Sequence, residues 1–180
     1  MSVVGFLYCL IILTIIVVSV FIFSFEKQSH ISATPTLPVI RKSVIKLIRS
    51  HIVDIKDLQI AELGCGWGGL VSLLAKEFQT SNIIGYELSP IPCFISKITS
   101  LFNPNISILS DDFFLSDWSK FDVLVCYLSP YHMEKIAEKI TRDHFKGLII
   151  SCSFPFKDIE PIDVEYHKLI VPISVFAYRF

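Results

Sequence analysis

The chain has 180 residues, a length that suits one domain of ordinary size. Its formal net charge is −1, which gives no electrostatic support for a nucleic-acid partner. The five cysteines are odd in number and match no zinc spacing. We therefore expect no metal site, and we interpret the cysteines as small buried residues in a reducing compartment.

The first predicted element is a membrane anchor. Residues 2–25 contain no charged residue and consist mainly of Val, Ile, Leu and Phe, and about 20 such residues span a bilayer as a helix. A secretory signal peptide has a positive region before a shorter apolar core, whereas no Lys or Arg precedes this one. Basic residues begin beyond it, with Lys27 and then a cluster from Arg41. Because positive residues favour the cytoplasmic side, the pattern predicts a single-pass membrane protein whose domain faces the cytoplasm.

A linker and a folded domain follow the anchor. Residues 26–37 are rich in Ser, Thr and Pro, which are poor in helix interiors, so we predict a linker there. The predicted domain covers residues 38–180. It begins with an amphipathic, basic helix from Pro38, which we expect to cover one side of the sheet.

A glycine-rich turn at residues 62–69 is the clearest motif of the domain. It reads Glu-Leu-Gly-Cys-Gly-Trp-Gly-Gly, with a short apolar run before it and a helical pattern after it. Strand, glycine turn and helix form the nucleotide-binding crevice of an open α/β sheet. Glycines let the backbone turn sharply and let a ligand approach closely. The predicted cofactor-binding residues of this turn are Glu62, Gly64, Gly66 and Gly68.

The acidic residue selects the ligand. Gly64, Gly66 and Gly69 also satisfy the dinucleotide fingerprint G-x-G-x-x-G, which serves a pyrophosphate at a helix N-terminus. A carboxylate at Glu62 would repel that dianion. S-adenosylmethionine carries a sulfonium and an ammonium group, so the same carboxylate attracts it. We therefore predict S-adenosylmethionine rather than NAD as the cofactor.

A second strand and helix follow the turn. The strand starts at Asn82 and ends at Glu87, which stands 25 residues after Glu62, near the offset at which an acidic residue meets a ribose hydroxyl. The next helix opens with Pro90. Its predicted apolar face consists of Phe94, Ile95, Ile98, Leu101 and Phe102.

The remaining elements complete the predicted sheet. A third strand ends at Asp111 and Asp112, and a fourth ends at Ser129 and Pro130, before a helix. A fifth strand covers residues 147–154, and two alternating runs around Pro172 predict an antiparallel hairpin. The predicted fold class is an α/β, Rossmann-like methyltransferase sheet with a C-terminal antiparallel hairpin.

Residues 38–180 resemble the seven-strand S-adenosylmethionine-dependent methyltransferases. Within them, the chain is similar to the family that contains the ATP synthase c-subunit and adenine nucleotide translocase lysine N-methyltransferases. The resemblance rests on the turn at 62–69, on Gly85-Tyr86-Glu87-Leu88-Ser89-Pro90, on Asp112-Phe113-Phe114, on Ser153-Phe154-Pro155-Phe156 and on Phe176-Ala177-Tyr178. The chain departs from the family pattern at Trp67, where the family usually has aspartate, at Gly69, where it often has arginine, and at Phe114, where it has tryptophan.

The resemblance implies a membrane-anchored protein-lysine N-methyltransferase with a membrane protein as acceptor. It places Asp112 at the adenine amino group. Tyr127, Ser129 and Pro130 lie at the strand end where an acceptor should meet the methyl group, so they are the candidate catalytic residues. Phe154-Pro155-Phe156 is a candidate aromatic wall for a cation. His132 is a candidate base, although we expect a surface histidine at this helix start.

Two other functions remain open from the sequence. One is methyl transfer to a lipid or another small apolar molecule, which an anchor suits equally well. The other is a non-catalytic nucleoside-binding module, which Trp67 and the missing arginine favour. Binding of S-adenosylmethionine without turnover on any membrane extract would select the second.

Overall fold

The computed structural model describes residues 3–29 and 35–180, except for the side chains of residues 21–29. The chain divides into two compact units, residues 1–32 and 33–180.

The first unit contains helix α1, Val3–Ser29. Its window Val3–Val20 has a mean hydropathy of 2.9, and none of the window is buried. By length and composition, this helix fits a membrane span or a signal sequence. The helix continues to Ser29, so residues 26–29 are helical where the sequence predicted a linker. Residues 30–34 of the predicted linker lie outside the described residues.

The second unit is an α/β sheet with helices on both faces. Its seven strands lie in the order β3-β2-β1-β4-β5-β7-β6. Strands β1 to β5 are parallel, and β7 is antiparallel to both β5 and β6. The strands are β1 Gln59–Leu63, β2 Asn82–Tyr86, β3 Ile106–Leu109, β4 Val123–Cys126, β5 Leu148–Cys152, β6 Asp163–His167 and β7 Ile173–Arg179. The helices are α2 Pro38–His51, α3 Gly69–Glu77, α4 Pro90–Ser100 and α5 Pro130–Arg142, with a short 3₁₀ helix at Phe113–Leu115. The predicted fold class is therefore confirmed, including the C-terminal hairpin.

Two apolar cores lie on opposite faces of the sheet. Buried side chains of α2 and α3, such as Leu47 and Leu74, pack against one face. Ile136 of α5 and the fully buried Trp118 pack against the other. Because both faces of the sheet are covered, β4 and β5 are buried along their whole length, although successive side chains point to opposite faces.

The sequence pattern predicted that the apolar stripe of helix α4 faces the core. In the structure, most of this stripe faces outward. Phe94, Ile98, Leu101 and Phe102, on α4 and just after it, are exposed. The inward side carries small residues instead, because the helix lies very close to the glycine turn. A Cβ atom on Gly68 would come within 2.9 Å of the Cβ of Ser96, so only small side chains fit between these elements.

Candidate active site

The glycine turn joins β1 to α3 through three residues in the left-handed region. Gly64, Gly66 and Gly68 have φ angles of 80°, 52° and 78°, which favour glycine over other residues. A Cβ on Gly68 would meet Ser96, whereas a Cβ on Gly66 would meet nothing within 4 Å. The space above Gly66 is therefore open to a ligand, as the sequence analysis required of this turn.

Glu87 holds the turn from the end of β2. Its side chain is only 2% exposed. One carboxylate oxygen accepts the backbone N–H of Gly66 at 2.8 Å, and the other accepts that of Ser89 at 2.7 Å. A carboxylate has about four acceptor sites, so these two bonds leave capacity for hydroxyl donors. Glu87 thus supports the loop geometry in addition to the ribose role that the sequence predicted.

Glu62 lies near the end of β1 and is buried, with 4% of its surface exposed. Burial raises its pKa to about 8, although a hydrogen bond from the backbone N–H of Val71 and the nearby charge of Arg41 oppose the shift. The carboxyl group is therefore mainly protonated at neutral pH. The motif alone predicts an ionised side chain, because burial is not visible in a linear sequence. Its Oε2 atom is buried and has no hydrogen-bond partner among the described residues.

Arg41 of α2 reaches the start of α3, a role that the sequence did not reveal. Its guanidinium group donates to the carbonyl of Thr36 at 2.8 Å and to the carbonyl of Gly69 at 3.2 Å. A Cβ on Gly69 would lie 2.5 Å from one of its terminal nitrogens. The guanidinium group of Arg41 therefore fills the space that a side chain at position 69 would need. In the sequence, Arg41 appears only as part of the basic surface of this helix.

Two aspartates follow the neighbouring strand β3. Asp112 is half-buried, and its Oδ1 accepts the backbone N–H of Phe114 at 2.9 Å, which caps the 3₁₀ helix. Asp111 is exposed. The N–H of Glu87 donates to the carbonyl of Leu109 at 3.0 Å, so β2 and β3 end side by side. Both aspartates therefore come directly after β3, at the same edge of the sheet as Glu87.

The candidate catalytic residues lie where β4 leads into α5. Tyr127 and Ser129 are half-buried, and Pro130 is the first residue of α5. The Oγ of Ser129 lies 2.9 Å from Nδ1 of His132. His132 is only 5% exposed, and its ring stacks on Phe114 at 6.3 Å between centroids. The expectation of a surface histidine was therefore wrong, because the ring is buried near the aromatic rings of Phe114 and Tyr131.

The predicted aromatic wall is only partly present. Phe156 is buried, and its ring packs edge-on against Tyr178 at 4.7 Å. The Phe156 N–H donates to the hydroxyl oxygen of Tyr178 at 3.1 Å. Phe156 is thus a core residue, and Phe154 is the exposed aromatic ring of this segment.

These groups meet at one edge of the sheet. The carboxyl ends of parallel strands share an edge, which is where ligands bind in open α/β sheets. The site offers open space above Gly66 and a buried, unpartnered oxygen of Glu62. A ligand with a cationic or hydrogen-bond-donating group fits this pair of features, and S-adenosylmethionine has both kinds of group.

Solved structures with this fold include several methyltransferases. An RNA methyltransferase from Salinibacter ruber, in complex with S-adenosyl-L-homocysteine, has a TM-score of 0.68 at 18% identity, over 81% of this chain and 93% of that one. An S-adenosylmethionine-dependent O-methyltransferase from Thermotoga maritima has a TM-score of 0.60 at 13% identity, over 87% of this chain and 70% of that one. These identities are low, so the likeness shows the shared fold alone. No curated protein matches the sequence.

The family match covers the turn, the strand ends and the approach to the hairpin. The pattern of the ANTKMT methyltransferase domain matches residues 62–163, which is more than half of the chain. This match confirms the resemblance that the sequence motifs indicated. The chain belongs to the ANTKMT methyltransferase domain family and is an S-adenosylmethionine-dependent methyltransferase.

Proposed function

We propose that the chain is a membrane-anchored protein-lysine N-methyltransferase whose acceptor is a membrane protein. The family match, together with an exposed apolar helix at residues 3–20, carries this proposal. Anchoring confines enzyme and acceptor to one surface and raises their effective concentration without new contacts.

The proposed cofactor site is the edge formed by β1, β2 and β3. When bound, S-adenosylmethionine supplies a methyl group that is already activated on a sulfonium, so the protein mainly has to bind and orient. In this proposal, Glu62 receives a positively charged or donating group at its open oxygen, and Glu87 receives ribose hydroxyls. The other residues assigned to the cofactor are Gly64, Gly66, Gly68, Asp111 and Asp112.

The proposed acceptor site is the start of α5, at Tyr127, Ser129 and Pro130. A lysine amine attacks only when neutral, and a water-poor pocket lowers its pKa. Ser129 and His132 form a hydrogen-bonded pair at this place, and His132 is buried. In our proposal, this pair accepts the proton that the lysine ammonium loses before transfer.

A groove beside Pro130 supports a cationic acceptor. It has a volume of about 660 Å³ and lies between α5 and the segment after β5. Glu134, Glu138 and Asp158 line it, with Lys157 as the basic residue in the lining. The excess of carboxylates is complementary to a segment that presents a lysine.

Orientation forms part of the proposal. Lys27 and the basic cluster from Arg41 follow the apolar segment, so the domain is proposed to face the cytoplasm. Protease treatment of sealed vesicles tests this. A domain protected inside right-side-out vesicles supports the orientation, and digestion of the domain in those vesicles contradicts it.

The decisive experiment for the function is methyl labelling of membranes. Membrane fractions are incubated with the full chain and radioactive S-adenosylmethionine, and the labelled band is identified by mass spectrometry. Methylated lysine in a membrane protein supports the proposal. Label that extracts with lipid would select a lipid acceptor, and binding without any labelled product would select a non-catalytic module.

The anchor has its own test. A chain lacking residues 2–28 retains every proposed cofactor residue, so we expect it to bind S-adenosylmethionine but to methylate its target in membranes much less. Full activity of the shortened chain on the target in intact membranes would contradict the role of the anchor.

A further inference from the structure

A buried hydroxyl group without a partner lies beside the glycine turn. Among the described residues, three buried side-chain atoms have no hydrogen-bond partner, namely Oε2 of Glu62, Oγ of Ser89 and Oγ of Ser100. Glu62 is already assigned to the cofactor, and Ser100 is the last residue of α4. Ser89 stands at the other end of this helix, directly before its first residue. A buried polar group without a partner is destabilising, so the hydroxyl of Ser89 requires an explanation.

The usual structural role of serine at a helix start is absent here. A serine that precedes a helix normally accepts a hydrogen bond from the N–H of the second or third helical residue. The third residue of α4 is Pro92, which has no N–H. The structure shows no cap bond from the side chain of Ser89. The hydroxyl group is therefore left for a partner outside the helix.

Ser89 is joined to the glycine turn through the carboxylate of Glu87. One carboxylate oxygen accepts the N–H of Ser89 at 2.7 Å, and the other accepts the N–H of Gly66 at 2.8 Å. Ser89 and Gly66 thus lie on either side of one carboxylate group, and the space above Gly66 is open. Ser89 is only 4% exposed. Its hydroxyl is positioned by a single torsion with three staggered settings, so it can reorient when a ligand enters.

A hydroxyl group supplies what a carboxylate cannot. An ionised carboxylate only accepts hydrogen bonds, whereas a serine hydroxyl donates one and accepts others. The two hydroxyl groups of a ribose present both donors and acceptor oxygens. Glu87 can accept from a ribose hydroxyl, and Ser89 can donate to a ribose oxygen. The pair is therefore complementary to a ribose with both of its hydroxyl groups.

We propose that Ser89 binds the ribose of S-adenosylmethionine, with its hydroxyl group donating to one ribose oxygen while Glu87 accepts from the ribose hydroxyls. The inference rests on the proposed cofactor site at β1, β2 and β3. It adds a side-chain hydroxyl to a set that consists of glycines and carboxylates.

The test compares Ser89→Ala with Ser100→Ala in the full chain in detergent micelles. Both variants remove a buried hydroxyl without a partner, from opposite ends of α4. Calorimetry measures the binding of S-adenosylhomocysteine. We expect Ser89→Ala to weaken it about 2- to 12-fold, the effect of one lost hydrogen bond, and Ser100→Ala to leave it unchanged. Unchanged affinity in Ser89→Ala would overturn the proposal.

Chemical denaturation without ligand separates binding from helix capping. Neither variant should lower the unfolding midpoint, because neither hydroxyl has a hydrogen bond to lose. A lower midpoint for Ser89→Ala alone would assign its hydroxyl to the helix start and overturn the proposal.

Ligand analogues test the ribose itself. In S-adenosylhomocysteine that lacks either the 2′- or the 3′-hydroxyl, the loss caused by Ser89→Ala should disappear for one of the two analogues. Equal losses for the parent ligand and both analogues would place the contact elsewhere and overturn the proposal.

Glu87→Gln separates this inference from the cofactor site on which it rests. If Glu87→Gln weakens binding and Ser89→Ala does not, the role of Ser89 is wrong while the site stands. If neither variant weakens binding, both proposals fail.

Discussion

The ionisation of Glu62 should control how affinity for S-adenosylmethionine depends on pH. The side chain is buried, and burial raises its pKa to about 8. Its Oε2 atom has no partner in the described part of the chain. A cationic group placed beside this oxygen favours the ionised form, so binding below pH 8 should release a proton from Glu62.

The size of the effect follows from the pKa. With a pKa of about 8, about one in 100 Glu62 side chains is ionised at pH 6, and about half are ionised at pH 8. If binding needs the ionised form, affinity should rise about 50-fold over this range, which corresponds to about 2 kcal/mol. The dependence should level off above pH 8.

Isothermal titration calorimetry in buffers of different ionisation enthalpy measures both the affinity and the released protons. The ligand's own α-amino group titrates near pH 8 as well, so Glu62→Gln is the necessary control. This variant keeps the shape of the side chain and removes its titration. 5′-Methylthioadenosine, which lacks the amino-acid part and the sulfonium charge, should bind with an affinity that changes little with pH. An equally steep pH dependence in Glu62→Gln and the parent chain would refute the reasoning.

Three further predictions follow from the same turn. Glu62 binds its proton more tightly in the folded protein, so its contribution to the free energy of unfolding should be greatest below pH 4.5. That free energy should fall by at most about 5 kcal/mol as the pH rises to 8. Chemical denaturation across this pH range should show the fall in the parent chain and not in Glu62→Gln. Gly68→Ala should cost about 1–3 kcal/mol more than Gly66→Ala, because both have positive φ but only the first meets a neighbouring Cβ; equal unfolding midpoints would contradict this. Glu87→Gln should weaken the binding of sinefungin, an analogue of S-adenosylmethionine, by about 1–3 kcal/mol, because one backbone N–H loses its acceptor. Unchanged affinity in calorimetry would exclude the proposed role of Glu87 in cofactor binding.

The strands were predictable because each leaves a local signal. Strands β4 and β5 are buried on both faces and appear in the sequence as continuous apolar runs. The final hairpin appears as alternation around Pro172. The glycines of the turn were also predictable, since a left-handed φ restricts the choice of residue at each position.

The orientation of α4 was not predictable by the same reasoning. A helical apolar stripe normally faces the core, but the closeness of Gly68 to Ser96 leaves room only for small side chains. The constraint comes from a residue 28 positions earlier in the chain, so it leaves no periodic signal. The burial of His132 has the same kind of origin, because Phe114, one of the rings near it, comes from a different element.

Two charged side chains hold the glycine turn of this chain in place. Glu87 accepts the N–H of Gly66, and Arg41 donates to the carbonyl of Gly69. The two side chains come from β2 and α2 and have opposite charges, each matched to the backbone group that it meets. The turn is therefore held within its length, at Gly66, and at its end, at Gly69, before any ligand arrives, so binding need not spend free energy on ordering the loop. Arg41 also lowers the pKa of Glu62, opposing the effect of burial. Substitution of Arg41 by glutamine should thus loosen one end of the turn and make Glu62 harder to ionise. Both effects weaken cofactor binding, but only the second shifts its pH dependence upward, and calorimetry at several pH values separates them.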